Sequence, residues 1–208
     1  MQITIFGASG KVGQQVAAKL LAENHTLVVL VHRSNPYANT SGVTTVSGSV
    51  TDGTAVAKAI EGSAAVISTL GSWGSPNKDV VSSGTELIIT AMKARGVTRL
   101  ITITGASAFY GQDKPTMPDK ITRRLLKLVA PKILRDGEQH LALLEASDLN
   151  WTCLRSPVMT AAKQDAYRFQ TKLPPLWAWV PRQAVAQAIV DQITATDNLG
   201  KAPVICHV

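Results

Sequence analysis

The chain opens MQITIFGASGKVG, Met1 to Gly13, and the reading of this stretch decides the fold. A short apolar run (Ile3, Ile5, Phe6) stops at Gly7, and Gly10 and Gly13 follow at three-residue spacing. The amphipathic run Val12 to Leu21 comes directly after, so the expected order is strand, glycine turn, helix. Gly7 lets the chain turn sharply off the strand, because no Cβ restricts its backbone angles. Gly10 leaves room for a pyrophosphate to approach the main chain, and Gly13 lets the helix pack close to the sheet. The N–H groups and positive end of that helix then face the anion, with a hydroxyl from Ser9 and a cation from Lys11. A glycine turn with no ligand is the competing reading of the triplet alone. Against it, Thr26 to Val31 (TLVVLV) supplies the second strand of a βαβ unit at the expected distance.

A chain of 208 residues, 45 % of them apolar, can form one α/β domain with a well-buried core. No segment is of low complexity. The longest strictly aliphatic run, Leu27 to Val31, falls far short of the ~20 residues that cross a bilayer, so no transmembrane segment is expected. No basic-then-apolar leader is expected ahead of the first strand. Cys153 and Cys206 lie in apolar, strand-like surroundings and are expected to be buried, reduced thiols. These features predict a cytoplasmic protein.

The net charge of +7 fits an anionic ligand or nucleic acid. Lys120, Arg123, Arg124, Lys127, Lys132 and Arg135 cluster, with Leu125, Leu126, Leu128 and Val129 among them, so one helical face is basic and another apolar. Such helices lie on membranes or bind phosphates, or are simply solvated. No aromatic ladder or zinc spacing supports nucleic-acid recognition, and no nucleic acid or metal is expected.

Beyond the second strand the chain reads His32-Arg33-Ser34-Asn35-Pro36. An NAD-preferring site carries an acidic residue about twenty residues after the glycine turn, to hold the ribose hydroxyls. Arg33 stands there instead, and its guanidinium fits a ribose 2′-phosphate through two N–H bonds. The expected cofactor is NADP(H). Gly42 to Val50 is the third strand, with Asp52 capping the helix Thr54 to Ile60 and Ser49 and Val50 nearest an adenine. Ala64 to Leu70 is a buried fourth strand ending at Gly71, and Trp73 in the next loop either covers a pocket or packs. Asp79 to Arg95 is a long helix stopped by Gly96, and Val97 to Thr104 is the fifth strand. This alternation predicts a Rossmann-type doubly wound parallel sheet in three α/β/α layers, with ligands at the carboxyl edge. Thr104, Ser107 and Tyr110 fall at that edge.

GASGKVG, VHR, GSVTD, VISTLG, GVTRLITITGASA and LNWTCLRSP together resemble the atypical short-chain dehydrogenase/reductase superfamily. The resemblance covers nearly the whole chain and is to NAD(P)H-binding proteins similar to biliverdin reductase B (flavin reductase) and the NmrA-like regulators. It implies that Gly7, Ser9, Gly10, Lys11, Val12 and Gly13 hold the pyrophosphate and that Arg33 meets the 2′-phosphate. It also implies that Ser49 and Val50 border adenine, while Leu70, Gly71, Thr104 and Pro157 line the nicotinamide side. Relatives often read Arg-Pro after the sixth strand; here Arg155-Ser156-Pro157 is one residue longer, and Arg155 is expected to be structural. Ala184 stands where the last helix usually carries an acid.

Many short-chain dehydrogenases use Tyr-x-x-x-Lys on a helix, the lysine lowering the phenol pKa. Tyr110 to Lys114 matches the letters, but Gly111 and Pro115 argue against the helix that would align the pair. Ser107, with Thr104 behind it, is the stronger candidate on the catalytic edge. Its hydroxyl can position an acceptor or satisfy the backbone. His140 reads as a helix residue, either a proton donor or an interhelix contact. Met159 to Val180, with Tyr167, Phe169, Trp177 and Trp179, reads as an irregular flap of the single domain 1–208, its aromatics stacking on a planar acceptor or covering the sheet edge. The expected function is NADPH-dependent reduction of a small planar acceptor such as a flavin or quinone. The alternative is a non-catalytic NADP(H) sensor acting through a protein partner.

Overall fold

A computed structural model describes residues 1–175 and 177–208. The expected glycine turn joins β1 (Gln2–Phe6) to α1 (Lys11–Ala22), and β2 (Thr26–Val31) closes the first unit. The chain continues through β3 (Val43–Ser47), α2 (Gly53–Ile60), β4 (Ala65–Ser68), α3 (Val80–Arg95) and β5 (Arg99–Gly105). Two helices, α4 (Met117–Val129) and α5 (Pro131–Glu145), precede β6 (Asn150–Ser156). The remainder comprises β7 (Val158–Thr160), β8 (Tyr167–Gln170), β9 (Trp179–Pro181), α6 (Arg182–Asp191) and β10 (Val204–His207).

The main sheet has the order β3-β2-β1-β4-β5-β6-β10-β8, parallel except for β8, which pairs antiparallel with β10. The order reverses between β1 and β4, so the crevice that opens there is the switch point at which this sheet type takes ligands. Side-chain alternation builds the two cores. Ile3 and Ile5 face α1 and α6, whereas Phe6 joins Val28 and Val66 beneath α2, α3 and α5. Thr4, on the latter face, is buried but satisfied, its hydroxyl donating to the Ala59 carbonyl at 2.5 Å.

The local signals behave as their chemistry requires. The Asp52 carboxylate accepts from Thr54 N (2.9 Å) and Ala55 N (3.4 Å), capping α2. Gly96 ends α3 in the left-handed region at φ +67°. The basic segment differs from expectation: Pro131 begins a new helix, dividing the cluster between α4 and α5.

The stretch from Met159 to Val180 is also corrected. It contains the short parallel pair β7–β9, and β8 extends the main sheet. Tyr167 and Phe169 pack partly buried against the α1/α6 core, and the Tyr167 hydroxyl donates to Asp191 at 2.6 Å. Trp179 stacks on His207 with ring centroids 4.2 Å apart. Tyr167 and Phe169 thus belong to the edge strand itself and Trp179 to the β7–β9 pair, and none of the three lines the cleft at the carboxyl edge of the sheet. Both cysteines are free, as expected of reduced thiols, but only Cys153 is buried; Cys206 is half-buried.

Candidate functional site

Two juxtaposed regions make up the site, both at the carboxyl edge. In the first, Gly7 adopts φ +77° and Gly10 N donates to Gly7 O at 3.0 Å, closing the turn on itself. A Cβ on Gly7 would sit 2.8 Å from the Thr69 carbonyl carbon, and one on Gly13 would strike the Gly7 carbonyl and Ala8 Cα. The turn is therefore packed on the switch point by its glycines. The Thr69 hydroxyl donates at 3.1 Å to the Phe6 and Gly7 carbonyls, sealing β4 to the turn from below.

Above the turn the main chain is open. Ser9, Gly10 and Lys11 are exposed, no side chain caps α1, and its first turn carries no acid. Val12 is half-buried behind them, and Gln14 pins Ser9 O at 2.8 Å. A helix N-terminus left with open N–H groups, beside a lysine and with no carboxylate, suits a pyrophosphate. The residues present thus fit a dinucleotide.

Arg33 is exposed and makes no hydrogen bond or ion pair among the described residues. Four residues on, Tyr37 is buried and its hydroxyl donates to the Ala8 carbonyl at 2.8 Å. Burial pushes the Tyr37 phenol up, so it remains a donor. Gly48 N donates to Val31 O at 2.9 Å, bringing Ser49 beside the end of β2. Ser49 is half-buried, whereas Val50 turns its side chain inward against Gly84 of α3.

The second region is a cleft of about 510 Å³. Leu70 and Gly71 line it from β4, Thr104 and Ser107 from β5 and its following turn, Pro157 from the end of β6, and Gly137 from α5. A Cβ on Gly137 would lie 2.9 Å from the Thr104 hydroxyl oxygen, so the missing side chain is what lets α5 approach the strand. Trp73 stands at the cleft and is 71 % exposed.

No charged side chain lines this cleft among the described residues, and four hydroxyls do. Ser72 is engaged by Asp136, and Ser156 donates to the Pro157 carbonyl at 2.9 Å. Thr104 and Ser107 are half-buried and have no side-chain hydrogen bond among the described residues. Asp136 itself is fully buried on α5 and accepts from Val81 N (3.3 Å) and Ser82 N (2.8 Å), capping α3 from another helix. It thereby fixes the Ser72–Trp73 side of the cleft.

The expectation for Tyr110 is corrected. Tyr110 does not line the cleft; its ring lies under the Arg155 guanidinium, 5.0 Å from the centroid. Residues 110–114 form a turn rather than a helix, and Lys114 is exposed. Burial raises the Tyr110 phenol pKa, opposite to what an acid–base tyrosine needs. Arg155 is structural, as expected. It is buried and forks onto Asp113 at 2.6 and 2.9 Å, with further bonds to the Ala202 and Ala108 carbonyls. His140 is a core residue, bridging Thr85 (2.8 Å) and Thr102 (3.0 Å).

A model of a family described as NAD(P)H-binding matches residues 7–196, from the first glycine of the turn to beyond α6. This chain belongs to that NAD(P)H-binding family. Similar solved structures share its fold along the whole chain. ChuY from Escherichia coli O157:H7, an anaerobillin reductase, is 20 % identical with a TM-score of 0.82, covering 100 % of this chain and 97 % of its own. A short-chain dehydrogenase/reductase from Veillonella parvula DSM 2008, solved in complex with NADP, is 21 % identical with a TM-score of 0.79, covering 99 % and 94 %. The oxidoreductase ylbE from Lactococcus lactis is 18 % identical with a TM-score of 0.79, covering 100 % and 91 %. The fold of this NAD(P)H-binding protein is therefore that of the short-chain dehydrogenases/reductases, in agreement with the resemblance carried by its motifs.

Tyr37, Asp136 and Gly137 are support residues that the sequence reading did not single out. Each acts across a long sequence separation, and no local pattern marks such contacts.

Proposed function

We propose that this protein is an NADPH-dependent reductase of a small, uncharged, planar acceptor. The observation that carries the proposal is the cleft: apolar walls, no charged lining residue, and Thr104 and Ser107 as its two unengaged side-chain hydroxyls among the described residues. Gly7, Ser9, Gly10, Lys11, Val12 and Gly13 would hold the pyrophosphate, and Arg33 the 2′-phosphate. Ser49 and the main chain at Val50 would border adenine; Leu70, Gly71, Thr104 and Pro157 would line the nicotinamide side.

When bound, the dinucleotide supplies hydride chemistry, which needs no further cofactor. The chain's own work is then positioning and exclusion of water. The apolar walls favour a flat, desolvated acceptor, and the Ser107 hydroxyl holds an acceptor oxygen and relays a proton from solvent to it. Thr104 orients the same acceptor from beneath. A fold shared with an anaerobillin reductase is consistent with an acceptor of extended conjugation. NADPH oxidation against a panel of quinones, flavins and tetrapyrroles tests the reading: uncharged quinones should be turned over best, and no oxidation with any acceptor would overturn it.

One observation favours a second reading, a non-catalytic NADP(H) sensor. No acid or base lines the cleft among the described residues, and Tyr110 and Lys114 are not assembled as a pair. Equal, tight binding of NADP⁺ and NADPH without turnover would support it.

A further inference from the structure

Helix α4 buries none of its residues, unlike every other helix of the fold. Met117, Ile121, Leu125 and Leu128 recur at helical spacing, Val129 follows, and these five side chains are 50–82 % exposed. Water disfavours such a stripe, and none of the described residues buries it. Lys120, Arg124 and Lys127 are exposed along its flank, and Lys132 and Arg135 extend the basic edge onto α5. The single acid of α4, Asp119, is engaged by Thr116 at the helix start, and Arg123 by Glu138 at 2.6 and 2.8 Å. The remaining cations are left uncompensated by their own helix.

We infer that α4 is an interfacial helix that docks the protein on an anionic phospholipid surface. Its apolar stripe enters the acyl boundary while Lys120, Arg124 and Lys127 meet the headgroup phosphates. The helix has 13 residues, about 20 Å, too short to span a bilayer, and no helix among the described residues is long and apolar enough to do so. Charge decides between lipid and a second copy of the chain. Pairing two α4 faces would bring like charges together, whereas an anionic surface neutralises them. Trp73, exposed at the cleft that Leu126 and Ala130 of the same α4–α5 segment also line, suits the headgroup layer that indoles prefer. Docking through α4 places the cleft, which Leu126 of the same helix lines, close to the lipid surface, and this suits an apolar acceptor. That consequence rests on the reductase reading; the docking does not.

Sedimentation of the full chain with vesicles of mixed phosphatidylglycerol and phosphatidylcholine tests the inference. Binding is expected at low salt, weakened about tenfold or more by high salt or by pure phosphatidylcholine vesicles. The exposed changes Leu125→Ser with Leu128→Ser, and separately Lys120→Glu with Lys127→Glu, should each abolish it. Unchanged melting curves and NADPH affinity in both double variants separate this loss from misfolding and from failure of the cofactor reading. No binding to anionic vesicles at low salt, or equal binding to both vesicle types, would overturn it. So would a salt-resistant dimer that the double serine change dissociates.

Discussion

The Tyr37 hydroxyl donates to the Ala8 carbonyl at 2.8 Å, tying the loop that carries Arg33 to the glycine turn. This buried hydrogen bond adds to the β1–β2 pairing in holding the two halves of the proposed dinucleotide site together. Tyr37→Phe leaves the Ala8 carbonyl without this donor, and a net loss of about 1 kcal/mol is expected. Isothermal titration should show NADPH affinity falling roughly fivefold with the cleft chemistry unaffected.

Gly13 packs α1 against the turn, and a Cβ there would strike the Gly7 carbonyl and Ala8 Cα. Gly13→Ala must displace the helix start, at about 1–3 kcal/mol. A lower urea midpoint together with weaker NADPH binding is the expected pair of results.

Asp113 holds the buried Arg155 guanidinium through a bidentate pair. Asp113→Ala strands that charge at a cost of about 3–5 kcal/mol, measurable by chemical denaturation. The double change with Arg155→Met should recover much of the loss, since no buried charge then remains.

His140 supplies a pH signature. Burial pushes its imidazole down to about 4, opposed in part by Asp136. The folded value lies below the ordinary 6.5, so the unfolded chain takes up the proton first as pH falls. Its contribution is complete above about pH 6.5 and is lost as pH drops toward 4, by up to ~3 kcal/mol. His140→Gln, which does not titrate, should show a shallower decline of unfolding free energy between pH 7 and 4.

The parts of this architecture legible in sequence are those set by neighbours along the chain. The Gly7-Gly10-Gly13 turn, the Asp52 cap and the Gly96 stop each depend on residues within a few positions. The parts that were not legible depend on contacts between distant segments. Asp136 caps a helix that begins more than fifty residues earlier, and nothing near Asp136 marks it as a cap. Strand β8 is four residues long and finds its partner in β10, so its alternation is too brief to stand out beside Pro174 and Pro175. Tyr110 is a different case: the letters of Tyr-x-x-x-Lys are present, but Gly111 and Pro115 already speak against a helix in the sequence, and the segment is a turn with Tyr110 beneath Arg155.

The central claim is that the glycine turn and Arg33 form an NADPH site. Titration of the wild-type chain and Arg33→Asp with NADPH and NADH tests it most directly. Wild type should bind NADPH at least about tenfold more tightly than NADH, and Arg33→Asp should lose that preference through NADPH alone. Wild-type binding of NADH equal to or tighter than NADPH, or an unchanged NADPH affinity in Arg33→Asp, would contradict the account.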